Sequence, residues 1–360
     1  MSRLIFVGLT VVILAATLAC GDGGGASTTG AGQSQQTQQP TQQSRVTLRL
    51  GYFPNVTHSQ PIVGLGRGTF ADKLGSNVKV DTKTFNAGPS AIEALFAGEI
   101  DATYIGPNPA INGYVKSGGE ALRIVAGATS GGALFVVRPD SGIEKPADLA
   151  GKKIASPQLG NTQDVALRAY LLANGLGARE NGGDVNVIPT ANPDILTLFR
   201  KGDIDGAWVP EPWATRLVKE AGGHVFLDER DLWPNGDFVT THLIVRTEFL
   251  EKHPDVVKNF LSAHVETTQW INDNPDEAKK LVNDGIRQVT GAALPEEVVN
   301  AAWQNLRITY DPIASSLRKS AADAFKLGFL GDKEPDLSSI YALDLLNEVL
   351  EEEGLPGVTE

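Results

Sequence analysis

Catalytic chemistry has few places to reside in this 360-residue chain. It contains no G-x-S-x-G turn for a nucleophilic serine, no H-E-x-x-H, no phosphate-cradling G-x-x-x-x-G-K-[ST] and no C-x-x-C. The five histidines, at positions 58, 224, 242, 253 and 264, include no close pair of the kind zinc uses, and Cys20 is the only cysteine. No metal, no cofactor and no catalytic residue is therefore expected. What remains is a set of short polar loops: "FPNVTHSQ", "NAGPS", "GPNPA" and "ATSGG" in one part of the chain, "SPQLGNTQD", "TANPD" and "WVPEPW" further on. Around Thr57 and Ser90 these loops run into helix starts, and Asn161, Thr162 and Gln163 open another. Free N–H groups and the helix dipole favour an anion there. Taken singly, Ser90 and Thr162 are equally well read as N-caps, worth roughly 1 kcal/mol each.

The elements that position these loops are written twice. "GEIDATYIGPNPA" at 98–110 returns as "GDIDGAWVPEPWA" at 202–214, an offset of 104, and "AGPSAIEALFA" from Ala87 lies opposite "ANPDILTLFRK" from Ala191 without a gap. "VTLRLGYF" and "VKVDTKTF" alternate as strands, "GPSAIEALFAGE" reads as a helix and "IDATYIG" as a third strand, followed by a loop whose prolines continue neither. "KKIAS", "TQDVALRAYLLANG", "VNVIP", "PDILTLFRKG" and "IDGAWV" repeat that order. Strands alternating with helices imply parallel sheets with right-handed crossovers, and ligands gather at the carboxyl ends of such strands. Two equivalent sets of loops facing each other would define one cleft. "LRIVAGATSGGALFVVRP" and "GDFVTTHLIVR" are apolar extended stretches that carry the chain between lobes, and from Glu248 onward the apolar spacing is helical. These last helices are expected to pack on lobe one.

Single residues leave alternatives open. Trp208 ends a strand, as core residues do, and Tyr104 is its counterpart in the first copy. Trp213, among prolines and after Glu211, is either a cleft wall or ordinary surface. Glu211 is either a solvated acid or the partner of a cation. His58 and His242 read as polar loop and strand residues as readily as ligands.

With 41% hydrophobic and 21% charged residues the composition is that of a soluble globular protein, large enough for two domains. The formal charge of −12 argues against a nucleic-acid partner. The chain opens with Arg3 and 16 uncharged, mostly apolar residues that end at Ala19–Cys20. That length is short for a membrane span, and "TLAC" resembles a lipoprotein cleavage site, which makes Cys20 the expected lipidation site and the location extracytoplasmic and membrane-anchored. The Gly/Ser/Thr/Gln run that follows has no core-forming residues. The expected boundaries are 1–19 signal peptide, 20–45 flexible linker, 46–134 first part of lobe one, 135–237 lobe two, and 238–360 return to lobe one with C-terminal helices.

Residues 46 to about 345 resemble ABC-transporter substrate-binding proteins of the nitrate/sulfonate/taurine class. The resemblance is carried by "RLGYFPNVTH", "FNAGPSAIEALFAGEIDATYIGPNPA", "KPADLAGKKIASPQLGNTQDVALRAYL", "DILTLFRKGDIDGAWVPEPWA" and "FVTTHLIVRTEFLEKHPDVVKNFL". It implies an α/β, two-lobed periplasmic-binding-protein fold of type II, each lobe a parallel-rich sheet flanked by helices. It also implies a monomer that closes on a small anion or zwitterion, an aliphatic sulfonate or taurine first, and delivers it to an ABC permease. Transferred residue by residue, the site comprises Asn55, Thr57, His58, Gly88, Ser90 and Asn108 in lobe one, Gln158, Asn161, Thr162, Trp208 and Glu211 in lobe two, and Thr240, Thr241 and His242 where the chain returns. On this reading the anion sits between the helix starts at Ser90 and Thr162. Glu211 meets an ammonium, and Trp208 and Trp213 cover the methylenes between. Relatives of this fold also bind nitrate, bicarbonate or thiamine-precursor pyrimidines. From other classes, a pyrimidine synthase and a sensory binding module share the architecture, although the synthase's cysteine-rich motif is missing here.

Overall fold

A computed structural model describes residues 45–360. The expected leader, Cys20 and the linker as far as residue 44 lie outside the described residues. The chain begins with β1 (Val46–Tyr52), whose alternation buries Leu48 and Leu50, then a 3₁₀ turn at Val56–His58, α1 (Ser59–Arg67), α2 (Thr69–Leu74), β2 (Val78–Thr84), α3 (Gly88–Phe96), β3 (Ala102–Ile105), α4 (Pro107–Lys116) and β4 (Leu122–Gly131). A second run follows: β5 (Ala133–Val137), β6 (Lys153–Pro157), α5 (Thr162–Ala173), β7 (Asn186–Thr190), α6 (Asn192–Lys201), β8 (Gly206–Pro210), α7 (Trp213–Ala221) and β9 (His224–Asp228). The chain returns through β10 (Val239–Arg246) to α8 (Thr247–Lys252), α9 (Pro254–Asp273), α10 (Pro275–Thr290), α11 (Glu296–Trp303), β11 (Leu306–Ile308), α12 (Ala314–Lys326) and α13 (Asp344–Glu352).

Two mixed sheets result, ordered β11-β4-β10-β3-β1-β2 and β7-β6-β8-β5-β9. The repeat seen in the sequence is a repeat of register. Leu50 faces Ala102 and Gly51 faces Thr103 in lobe one, and Ile154 faces Gly206 and Ala155 faces Ala207 in lobe two, each pair shifted by the same 104 residues. The recurring "IDA/IDG" aspartate explains why the motif returns. Asp101 accepts the backbone N–H of Arg49 at 3.0 Å, and Asp205 accepts that of Lys153 at 2.8 Å, so each carboxylate ties the start of one strand, β3 or β8, to its parallel neighbour, β1 or β6. Asp101 is wholly buried, and Arg49 and Arg246 pair with it at 2.6 and 2.9 Å.

In each sheet the three parallel strands are followed by an antiparallel strand from the crossing: β5 beside β8, and β10 between β3 and β4. The change of sheet falls at Gly131 and Gly132, whose φ values of 73° and 76° suit glycine alone. The prolines after β3 open a helix instead of the loop expected from sequence. Pro107 sits in the first turn of α4, where its missing N–H costs nothing. The C-terminal helices share the lobe-one core, with Phe260 of α9 edge-on to Phe70 at 5.0 Å, while lobe two has a smaller apolar cluster on each face of its sheet.

Candidate functional site

The loops after β1, β2 and β3 meet those after β6, β7 and β8 around a small cavity, also lined by Thr240 and Thr241 of β10. The space open to the centre of a water molecule is about 20 Å³, room for roughly one water, so the two lobes lie closed on each other. No charged side chain lines it.

Among the described residues eight buried side-chain polar atoms lack a hydrogen-bond partner, and three of them, Thr162 Oγ1, Thr241 Oγ1 and Asn192 Oδ1, belong to residues of this one cavity. Leaving such atoms unmade costs about 1–3 kcal/mol each, so their convergence is what a site waiting for a polar ligand presents. Both hydroxyls can donate, and half a turn of the Asn192 amide presents its NH₂ instead of its oxygen. The helix ends add to this. The N-cap residues of α3, α5 and α6 (Ala87, Asn161 and Ala191) cap none of their own helices, and although Asn161 takes the Gly88 N–H of α3, no side chain takes the first-turn N–H groups of α5 and α6. The start of α5 is itself held by the buried Asp164, which accepts from Ser156 Oγ at 2.6 Å, Gly160 N at 2.9 Å and Arg168 Nε at 3.0 Å.

Of the residues expected from sequence, Asn55, Thr57, His58, Asn161, Thr162, Thr240 and Thr241 line the cavity. His58 stacks on Phe53 at 4.4 Å and accepts the Phe53 N–H on Nδ1 at 3.4 Å, which leaves its proton on Nε2. Burial pushes its pKa down to about 3, so it is a neutral donor and no counter-charge. Several expected residues, two of the cavity-lining ones included, also join the lobes. Asn161 Oδ1 accepts the Gly88 N–H at 3.2 Å, Ser90 Oγ donates to Gln158 Oε1 at 3.2 Å, and Trp213 Nε1 donates to Asn55 Oδ1 at 3.0 Å. Asn108 bonds Ser320 O at 3.3 Å and lies in a neighbouring groove.

Three expectations are corrected. Trp208 is wholly buried in the lobe-two core, stacked on Phe135 at 5.4 Å with its N–H given to Glu229 at 2.8 Å, because alternation along β8 turns it from the cleft. Glu211 does not await an ammonium. Its buried carboxylate accepts from Thr215 N at 3.0 Å, Thr215 Oγ1 at 2.8 Å and, across the lobes, Asn305 Nδ2 at 2.7 Å, with burial raising its pKa. His242 points to the opposite face of β10 from Thr241, bonding Pro312 O at 3.0 Å. Sequence reasoning missed Asn192, Asn86 and Phe53. Asn192 stands 104 residues after Gly88, so the repeat carried the signal. Among the described residues no cluster of His, Cys, Asp or Glu could hold a metal ion, and no helix is long and apolar enough to cross a membrane.

Two α/β lobes that exchange strands through a double crossing and enclose a polar cavity between their loops make this a periplasmic-binding-protein fold of two lobes. The chain belongs to the NMT1-like family, which it matches over residues 41–283. It is 31% identical over 221 residues to the taurine-binding periplasmic protein of Escherichia coli (strain K12), a stretch covering 61% of this chain and 66%, just under two thirds, of that protein. Two solved structures show the same fold. The alkanesulfonate-binding protein SsuA from Xanthomonas axonopodis pv. citri, bound to MOPS, has a TM-score of 0.69 at 20% identity, covering 83% of this chain and 98% of that one. The periplasmic nitrate-binding protein NrtA from Synechocystis PCC 6803 has a TM-score of 0.70 at 17% identity, covering 86% and 90%.

Proposed function

We propose that this protein is the solute-binding component of an ABC importer. It captures a solute with a compact anionic oxygen head, an aliphatic sulfonate first, between its lobes and presents it to a membrane permease. The observation that carries this reading is the convergence of the unpartnered Thr162, Thr241 and Asn192 oxygens with uncapped helix ends on one cavity. Hydrogen bonds to a charged group contribute roughly 1.5–3 kcal/mol each. Four or five therefore supply about 6–15 kcal/mol, a range that reaches past the approximately 8 kcal/mol of micromolar binding towards the cost of desolvation without an arginine. The small volume of the closed cavity also favours a second reading, nitrate or bicarbonate.

Titration calorimetry with methanesulfonate, taurine, nitrate and bicarbonate decides among these. Thr162→Ala and Thr241→Ala should each weaken the anion that binds by about 1 kcal/mol or more, and normal binding by both variants would remove the anion from this cavity. The reading includes a pivot at Gly131–Gly132 and at 236–238. The strands that follow these two points, β5 and β10, are integral to the two sheets. It also includes anchoring through Cys20. The Cys20→Ala variant should leave the membrane fraction or stay unprocessed, and unchanged membrane association would refute the anchor.

A further inference from the structure

Helix α12 has a hollow on each side. Lys319, Ser320 and Asp323 turn to the groove beside α5, and the opposite face, with Leu317, Ala321 and Phe325 at four-residue spacing, forms one wall of a separate pocket. The facing wall is the segment 334–341, which Leu337 and Ile340 make apolar and which the lobe-one sheet holds in place. Ile124 N donates to Ile340 O at 2.8 Å and Ala342 N to Ile124 O at 2.9 Å. The space open to the centre of a water molecule is about 420 Å³, within the range of small-molecule sites, about 300–1,000 Å³. Every lining residue falls within 317–360, so lobe two forms no part of the pocket and it is separate from the cleft.

Its polar lining is unanswered. Tyr341, only 7% exposed, carries a buried hydroxyl without a hydrogen-bond partner, and His242, edge-on beside it at 6.4 Å, takes no bond from it. Burial keeps this phenol protonated by raising its pKa, while the Arg318 charge pulls the pKa down and Glu360 pushes it up, so the hydroxyl lies in the field of two groups that line the pocket. Arg318, Glu334 and Glu360 are exposed at the pocket, and among the described residues none of the three makes an ion pair or a side-chain hydrogen bond. Charges of both signs therefore face one apolar hollow without neutralising each other.

We infer that this pocket is a second ligand site, outside the cleft, for an apolar α-amino acid. Arg318 and the Tyr341 hydroxyl take the carboxylate, the two acids take the ammonium, and Leu317, Phe325 and Ile340 cover the side chain. A simple carboxylate would meet the acids unpaired, and a simple amine would leave the guanidinium and the phenol unanswered. A zwitterion with adjacent charges satisfies both through charge-assisted hydrogen bonds. The site stands independently of the solute bound between the lobes.

Titration calorimetry with L-leucine and L-phenylalanine tests this, beside the same compounds lacking the ammonium (4-methylpentanoate, 3-phenylpropanoate) or the carboxylate (3-methylbutylamine, 2-phenylethylamine). At least one amino acid should bind saturably, and about tenfold or more tightly than either of its analogues. Tyr341→Phe and Arg318→Gln should each weaken it about fivefold or more. Tyr341→Phe should not lower the melting temperature of the unliganded protein, because it removes a buried hydroxyl that has no partner. Thr162→Ala, in the cleft, should leave the amino acid's affinity unchanged. Failure of both amino acids to bind, an analogue that binds as tightly, or an affinity indifferent to Tyr341→Phe and Arg318→Gln would overturn the inference. An affinity lost in Thr162→Ala would do the same, by placing the amino acid between the lobes.

Discussion

Replacing Gly106 with valine should lower solute affinity at least a hundredfold while leaving the melting temperature nearly unchanged. Gly106 precedes α4 with φ −70° and ψ 158°, a conformation any residue adopts, and one that Pro107 after it favours. Glycine is therefore not required by the backbone. A Cβ built there overlaps Thr162 Oγ1 and crowds Thr162 Cβ at 3.2 Å, whereas the nearest lobe-one atom is Thr240 O at 3.5 Å, an ordinary contact. The obstruction comes entirely from the other lobe. Overpacking a close contact costs typically about 1–3 kcal/mol, and branched valine falls at the upper end. A hundredfold loss corresponds to about 2.8 kcal/mol. Small-angle scattering should show the variant staying extended in saturating solute, where wild type compacts. Normal affinity would mean that capture does not pass through the Gly106–Thr162 contact. Gly88 is the contrasting position. A Cβ there overlaps Pro109 of its own lobe, so Gly88→Ala would disturb the fold and could not isolate closure.

The second large effect is on stability in acid. His58, His242 and His264 are buried and neutral, with pKa values pushed down by burial to about 3, 4 and 4. The hydrogen bonds of His58 and His264 require the neutral ring, whereas His242 is held neutral by burial alone. His264 donates Nε2–H to Gly127 O at 2.9 Å and accepts the Tyr104 hydroxyl on Nδ1 at 2.9 Å, while His58 Nδ1 accepts from Phe53. The unfolded chain protonates all three near pH 6.5 and the folded chain does not, so stability is full above 6.5 and lost as pH falls towards 4. The loss is about 1.4 kcal/mol per histidine per pH unit. Three such groups between pH 6.5 and 5 remove an amount comparable with the stability of a whole domain, about 5–15 kcal/mol. Glu229 acts in the opposite sense. Its pKa of about 7 lies above the unfolded value of 4.5, so it gains stability on acidification through that window and offsets about one histidine. Urea midpoints measured from pH 7.5 to 5 should therefore fall steeply below 6.5, and more steeply in Glu229→Gln. A flat profile would mean that the three rings take up protons without unfolding.

Much of this was legible because the fold repeats locally. The 104-residue offset placed β3 against β8 and α3 against α6, and it also links Gly88 to Asn192, a cavity-lining amide not named from sequence. What stayed hidden depends on contacts that sequence spacing does not encode. Nothing near Glu211 in the chain announces Asn305, which lies 94 residues on and completes its hydrogen bonding. Thr241 and His242 are neighbours with opposite surroundings, and only the sheet decides which one meets the cavity. Helix α12, which builds one wall of the groove, follows a left-handed Ile313 at φ 46°, a start no capping pattern marks.

The exchange of strands across the crossings has a consequence for the order in which the protein is assembled. Residues 133–228 contain every strand of the second sheet as one uninterrupted segment, whereas the first sheet lacks a strand between β3 and β4 until residues 239–246 arrive. A chain emerging end first, from a ribosome or through a translocation channel, can complete its insert while the surrounding lobe still has an open slot beside β3. Large proteins fold domain by domain. Here the amino-terminal half matures last, and its unpaired strand edges stay available to a holding chaperone for more than a hundred residues of synthesis.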